Sequence, residues 1–458
     1  MKRFGLRPDA ISAIMGSTTD SVHINTVLKS AASVIMIRVA GASIAYILQI
    51  LLAHWLGGFE YGIFAYAWVW VSMLSFLAPL GLNSAVVRFI PAYLSKQRWW
   101  RAKGIIHRSR SIVMAASLCF ACVGALLIFL NRELIPNHYI YPLYVALSFL
   151  PLFALVDLHE GMARGFGWVN LAYIPSYIIR PAFFVITMSA LFYVGVKLNG
   201  TVALAVAFLS FLLTVSVQTL LFRRRLPASI QQSRAVYHTS YWLRASLPFM
   251  LIGAFQIVLT NTDMIMLGGF VEPDEIAIYF ASLRTANLVG FIAFAISAMA
   301  VPKFAALHAN NAKEDLQALV TSVVKWIFWP SLLFSIFLFA FGHSVLGLFG
   351  PAFTIGYPVL VLLVIGHLIK AVTGPIDHLL NMTGNQNITA IVLACTSALN
   401  ILLNAMLIPY LGLSGAATAT ILSILVTRIW LLLLVKRRLG LNAIIFSRRK
   451  RIPAVAAE

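Results

Sequence analysis

The stretch IAYILQILLAHWLGGFEYGIFAYAWVWVSMLSFL, residues 44–77, carries a single charged side chain, Glu60, and a pair of glycines, Gly57-Gly58, near its middle. With their apolar flanks, the arms on either side read as segments 30–54 and 61–83. Each exceeds the roughly 20 residues that a helix needs to cross a hydrocarbon core about 30 Å thick. Irregular backbone cannot face lipid, because its unsatisfied N–H and C=O groups are too costly there. Barrel strands would be about ten residues long and would alternate in polarity. The stretch therefore reads as two spanning helices joined by a glycine turn.

The same character recurs along all 458 residues, 61% of which are hydrophobic and 10% charged. Soluble domains carry about 25% charged residues. Ten further spans are expected at 111–131, 140–160, 170–195, 199–222, 244–268, 276–301, 319–342, 356–381, 388–410 and 414–435. The expectation is an all-α polytopic membrane protein of about twelve helices, with no folded soluble domain and no cleaved signal. Residues 1–27 read as a cytoplasmic lead-in.

The net charge of +20 fits topology better than nucleic-acid binding. With the N-terminus inside, 27 of the 34 lysines and arginines fall in inside segments and two, Arg132 and Lys197, fall outside. That is the positive-inside bias, and it places both termini in the cytoplasm. Glu272, Asp274 and Glu275 fall outside.

Leu56-Gly57-Gly58-Phe59 recurs as Leu267-Gly268-Gly269-Phe270, an offset of 211, and Pro91 and Pro302 share that offset. Gly200 opens a run ending in Arg223-Arg224-Arg225-Leu226, and Gly415 one ending in Lys436-Arg437-Arg438-Leu439. Six spans per half make this a parallel repeat about an axis along the membrane normal. The chain divides into a first lobe at 28–222, a basic linker at 223–243, a second lobe at 244–436 and a basic tail at 437–458. Two six-helix lobes around a central cavity is a transporter arrangement.

A charge at mid-span costs about 2.5–3.5 kcal/mol on insertion scales, so it faces protein or a wet cavity. Five cations lie within spans: Arg38, Arg180, Arg284, Lys370 and Arg428. Arg180, Arg284 and Lys370 are too deep to escape; Arg38 and Arg428 could snorkel to an inner end. An electropositive cavity for an anionic substrate, built from Arg38, Arg180, Arg284 and Lys370, is one reading; interhelical ion pairs are the other. Pro181, beside Arg180, is expected to kink its helix. The acids Asp157, Glu160, Asp263 and Asp377 serve either charge pairing or coupling to a proton or Na⁺. Asp157 and Glu160 would face Arg180, and Asp377 would share a helix face with Lys370. Trp68 and Trp70 are candidates for glycan stacking. No His, Cys and carboxylate set has metal-ligand spacing, and Cys119, Cys122 and Cys395 sit in apolar runs, so neither a metal nor a cofactor is expected.

TGNQNITAIVLACTSALNILLNAMLIPYLGLSGAATAT (Thr383 to Thr420) has a Thr-Gly turn, Asn400 and Asn404, Ile408-Pro409, Gly412 and Gly415-Ala416-Ala417. With RVAGASIAYILQILLAHWLGGFEYGIFAYA and LGLNSAVVRFIPAY near the start, and ARGFG to IIRP (Ala163 to Pro181), it resembles the polysaccharide and O-antigen flippase family. The resemblance covers about residues 25–440. It implies alternating access by two lobes that move an undecaprenyl-pyrophosphate-linked oligosaccharide from the inner to the outer leaflet of the bacterial inner membrane. Membrane lipids and other polysaccharide assembly proteins are the implied partners. Related lipid II flippases use cavity arginines in their first and eighth spans, where Arg38 and Arg284 stand here. The protein would be a transporter, not an enzyme. The alternatives are an ion-coupled multidrug antiporter of the same superfamily, which would depend on Asp263 or Asp377, and a glycan polymerase or ligase, which the short loops disfavour.

Overall fold

The computed structural model describes residues 19–445. Residues 1–18 of the lead-in read at 1–27, and residues 446–458 of the tail read at 437–458, therefore lie outside the described residues. The helices are α1 (Thr19–Leu77), α2 (Leu82–Leu94), α3 (Trp99–Leu130), α4 (Asn137–Ser148), α5 (Leu150–Gly165), α6 (Val169–Ile174), α7 (Arg180–Tyr193) and α8 (Gly200–Arg225). They continue with α9 (Ala228–Gln232), α10 (Thr239–Leu267), α11 (Pro273–Ala309), α12 (Lys313–Gly347), α13 (Tyr357–Thr373), α14 (Ile376–Met382) and α15 (Gln386–Leu439). No strand occurs among the described residues. Among the described residues nine helical segments are long and apolar enough to cross a membrane, or ten if α4 and α5, bent by 41°, make one. Leu130, Leu333 and Ile391 are 66%, 72% and 59% exposed. An apolar surface of this kind requires lipid around it, and the chain is a multi-pass membrane protein.

Two of those segments are far longer than one crossing needs, and each doubles back at a glycine. Gly57 has φ +75° and Gly412 has φ +54°, a region that only glycine enters without strain. Tyr61 Oη donates to Gln49 Oε1 at 3.0 Å, though twelve residues of straight helix would separate them by about 18 Å. Asn400 Nδ2 likewise donates to Ser423 Oγ at 3.3 Å. Both helices are hairpins. The turn read from Gly57-Gly58 is present.

Other spans are less straight than their sequence suggests. The fourth bends at Phe149, and the tenth breaks at Gly374-Pro375 between α13 and α14. In the fifth, the backbone N–H of Arg180 bonds to the carbonyl of Pro175, five residues back. This π-helical turn spans Pro175–Ile179. The bend expected at Pro181 is therefore carried one turn earlier, and Pro181 sits at the start of α7 where its missing N–H costs little.

The core explains how the halves meet. At the Gly57 end one apolar cluster runs through both halves, joining Leu52, Tyr61 and Phe64 to Phe280, Leu346 and Leu360. At the basic end the core is parted. One cluster holds Val86, Ile106, Leu158 and Phe222 with Trp242 from α10, and another holds Phe304, Ile327, Leu380 and Leu431. Close contacts seal the joined end. A side chain on Gly62 would collide with the Pro273 carbonyl, and one on Gly268 with the Tyr66 ring. Tyr46 Oη and Thr285 Oγ1 bond across the halves at 2.9 Å. The molecule is closed at the Gly57 end and divided toward the basic one.

Candidate functional site: a cationic cavity in the second half

Two adjoining cavities of about 190 and 480 Å³ are lined by the second half, with Val69 of the first half also bordering the smaller one. Both are lined by His367, Lys370, Asp377 and Arg428. The smaller also holds Arg284 and Asp263, and the larger Gly290 and Phe294. Arg284 comes from α11, Lys370 from α13, Asp377 from α14 and Arg428 from the second arm of α15. His367 and Lys370 share a face of α13 at i,i+3, which aims both inward.

The charges divide into paired and unpaired. Arg428 Nη1 lies 3.5 Å from Asp377 Oδ1 and donates to the carbonyl of Gly374 at 3.3 Å. Asp377 was expected on one helix face with Lys370; the break at Gly374-Pro375 instead starts a new helix and turns its carboxylate to Arg428. Among the described residues no carboxylate lies within 4.0 Å of Arg284 or Lys370. The Arg284 guanidinium stacks on Phe280 at 4.4 Å, and its Nε is buried with no hydrogen-bond partner. Asp263 is 2% exposed and accepts from the Tyr279 hydroxyl and from the Met264 N–H.

The remaining candidates gather in the first half. Arg38 lies 4.0 Å from Glu160, which also meets Arg164 at 3.9 Å. The Arg38 guanidinium is caged by Tyr173, Tyr177 and Phe294 at 4.7, 5.2 and 4.5 Å. Phe294 lines the larger cavity, so one ring separates Arg38 from it, and Arg38 itself lines neither cavity. Arg180 stacks on Phe211 at 4.6 Å and Phe153 at 5.9 Å and lines neither cavity. Among the described residues Asp157 makes no ion pair within 4.0 Å; Glu160 pairs with Arg38 and Arg164 rather than with Arg180. Trp68 is half-buried and packs against Phe64, Phe149, Phe153 and Phe211.

Sequence reasoning gave Arg428 a lesser place because it lies close enough to an inner helix end to snorkel. Its partner Asp377, an acid stranded in an apolar run, was the available signal. The neutral polar lining was also missed: Gln256 and Asn287, both in the smaller cavity.

The polysaccharide biosynthesis protein family model matches residues 27–308, and the MatE model matches residues 248–406. An uncharacterized membrane protein of Methanocaldococcus jannaschii is 22% identical over 406 residues, covering 83% of this chain and 78% of its own. A probable flippase of Haloferax volcanii, AglR, is 29% identical over 167 residues, which span 35% of this chain and 34% of that protein. Among solved structures, an inward-facing multidrug resistance MATE family transporter of the MOP superfamily superposes with a TM-score of 0.68. It is 15% identical, covering 89% of this chain and 94% of that one. A MOP superfamily transporter from Pyrococcus furiosus, described by the reversed polarity of its binding pocket, gives a TM-score of 0.63 at 15% identity. It covers 90% of this chain and 96% of that one. At such identities the likeness is one of fold. The family model matched over residues 27–308, more than half of the chain, decides the matter: the chain belongs to the polysaccharide biosynthesis protein family.

Proposed function

We propose that the protein is a flippase that moves a lipid-linked oligosaccharide, such as an O-antigen or other polysaccharide repeat unit, from the inner to the outer leaflet by alternating access. The observation that carries this reading is the pair of cations, Arg284 and Lys370, that line one cavity with no carboxylate within 4.0 Å of either among the described residues. Uncompensated positive charge there is costly, and an anionic cargo offsets it. A phosphate or pyrophosphate joining a sugar to a polyprenyl chain is such a cargo. Undecaprenyl pyrophosphate is the carrier in a bacterial cytoplasmic membrane; the relatives named above are archaeal, and the phosphate chemistry is common to polyprenyl carriers. Arg38, one ring away from the larger cavity, extends the positive charge toward the first half, while Arg180, stacked on Phe211 and Phe153, stands apart from both cavities. Twelve crossings, with lobes at 28–222 and 244–436 and both termini cytoplasmic, fit the two hairpins and the lysine and arginine bias. The parted basic end then opens to the cytoplasm, where the cargo is made. No bond is broken, so the sugar passes through water in the cavity while the polyprenyl tail stays in lipid.

Asp263, buried beside the cavity and held by Tyr279, is the proposed coupling site for a proton or Na⁺. That same carboxylate favours a second reading, an ion-coupled small-molecule antiporter. Expression in a flippase-deficient host with a defined surface glycan separates the two. The flippase reading expects the wild-type chain to restore the glycan, and Arg284→Ala and Lys370→Ala to fail at equal protein level. Full restoration by both variants overturns the cavity assignment. Drug extrusion that needs Asp263, without any glycan restoration, establishes the antiporter.

A further inference from the structure

Two amides in the smaller cavity have no role in charge recognition. Gln256 on α10 and Asn287 on α11 are both exposed, and both line the cavity that holds Arg284. Among the described residues neither side chain makes a hydrogen bond within the protein; Asn261 nearby is already bonded to the Ile257 carbonyl and Thr260 Oγ1. Their depth makes this notable. Gln256 stands about 16 Å along the helix from Leu267, and Asn287 about 21 Å from Pro273, at 1.5 Å per residue. Neither reaches an interface from there, and lipid cannot serve an amide. A primary amide carries two donors and one carbonyl acceptor, and leaving these unserved away from water is unfavourable.

We infer that Gln256 and Asn287 form the subsite for the sugar bonded directly to the cargo's phosphate. The proposal rests on the flippase reading above. Three features carry it. An amide both donates and accepts, which suits sugar hydroxyls, whereas a phosphate oxygen only accepts and is served by Arg284 and Lys370. Arg284 and Asn287 sit at i,i+3 on one face of α11, so the cation and the amide are neighbours. In a glycosyl phosphate the phosphate on C1 and the hydroxyl on C2 are neighbours too. Finally, about 190 Å³ is below the roughly 300–1,000 Å³ of ordinary ligand pockets. It suits one ring and not a whole oligosaccharide, so the fixed part of the cargo is read and the variable remainder lies in the wider, wet space.

The test is equilibrium binding to the full-length protein in nanodiscs with two probes: a polyprenyl pyrophosphate bearing no sugar, and the same lipid bearing one hexose. The wild-type protein is expected to prefer the glycosylated lipid. Gln256→Leu combined with Asn287→Leu should weaken the glycosylated probe about tenfold and abolish the preference, in line with the loss of one to two hydrogen bonds. Arg284→Met should weaken both probes. Undiminished preference in the double variant, or an equal loss for both probes, overturns the sugar subsite while leaving the phosphate site standing. Failure of the wild-type protein to bind either probe, or indifference of both to Arg284→Met, overturns the flippase reading and the subsite with it.

Discussion

Arg284 should be a residue whose removal stabilises the protein and silences it. Holding its charge at mid-membrane costs about 2.5–3.5 kcal/mol on insertion scales. The structure returns part of that through Phe280, 4.4 Å below the guanidinium, worth roughly 0.5–2 kcal/mol. No carboxylate contributes among the described residues. A deficit of about 0.5–3 kcal/mol remains, and water in the cavity brings it into the lower part of that range. Arg284→Met keeps the length and apolar stem of the side chain and removes the charge, so unfolding should shift upward by about 1 kcal/mol in the absence of cargo. Arg428→Met is the contrast. It strands Asp377, whose partner lies at 3.5 Å with side chains 13% and 20% exposed. Breaking one member of a buried pair costs about 3–5 kcal/mol, and the partial exposure here lowers that to about 2. Thermal unfolding of both variants at one fixed lipid composition gives the comparison. If Arg284→Met lowers the melting temperature as much as Arg428→Met does, Arg284 is a structural tie and the argument for an uncompensated cation fails.

Asp263→Asn should leave the fold intact, since an amide still accepts from the Tyr279 hydroxyl, and should make transport indifferent to an imposed proton or Na⁺ gradient; a retained gradient response removes Asp263 from coupling. Gly62→Leu places a side chain against the Pro273 carbonyl, which cannot swing aside. A cysteine at the fully buried Thr285 should then react with an impermeant maleimide added from the Gly57 side, and continued protection would show that this contact does not hold the end closed. Gln317 Nε2 donates to the Asn442 carbonyl at 2.8 Å while the Asn442 N–H donates to Gln317 Oε1 at 2.7 Å. Gln317→Ala should cost about 1–3 kcal/mol for the two bonds and expose the chain after Leu439 to protease, and unchanged proteolysis would refute the tie.

Residues whose meaning is local were legible in the sequence. Gly57-Gly58 between two apolar arms can only be a turn, and the spans on either side are set by the thickness of the bilayer. The strap after the last helix was not legible, since nothing marks Gln317 as the partner of Asn442. Helix faces were legible only as far as the helix continued. Lys370 and Asp377 share a face on an ideal helix, but the break at Gly374-Pro375 ends that geometry between them. Arg428 could be read as snorkelling because its partner lies 51 positions earlier in the chain, a pairing that periodicity does not encode. Arg180 was legible as deep but not as packed, because the rings beneath it, Phe153 and Phe211, come from neighbouring helices.

The central claim is that the second-half cavity carries a phosphate-linked sugar across the membrane. Purified protein in proteoliposomes, given a polyprenyl-pyrophosphate oligosaccharide in one leaflet, tests it directly through the accessibility of the sugar to an external lectin or glycosidase. The account predicts transfer well above empty vesicles by the wild-type chain and background transfer by Arg284→Met, despite equal or greater thermal stability. Background transfer by the wild-type protein, or full transfer by Arg284→Met, would contradict it.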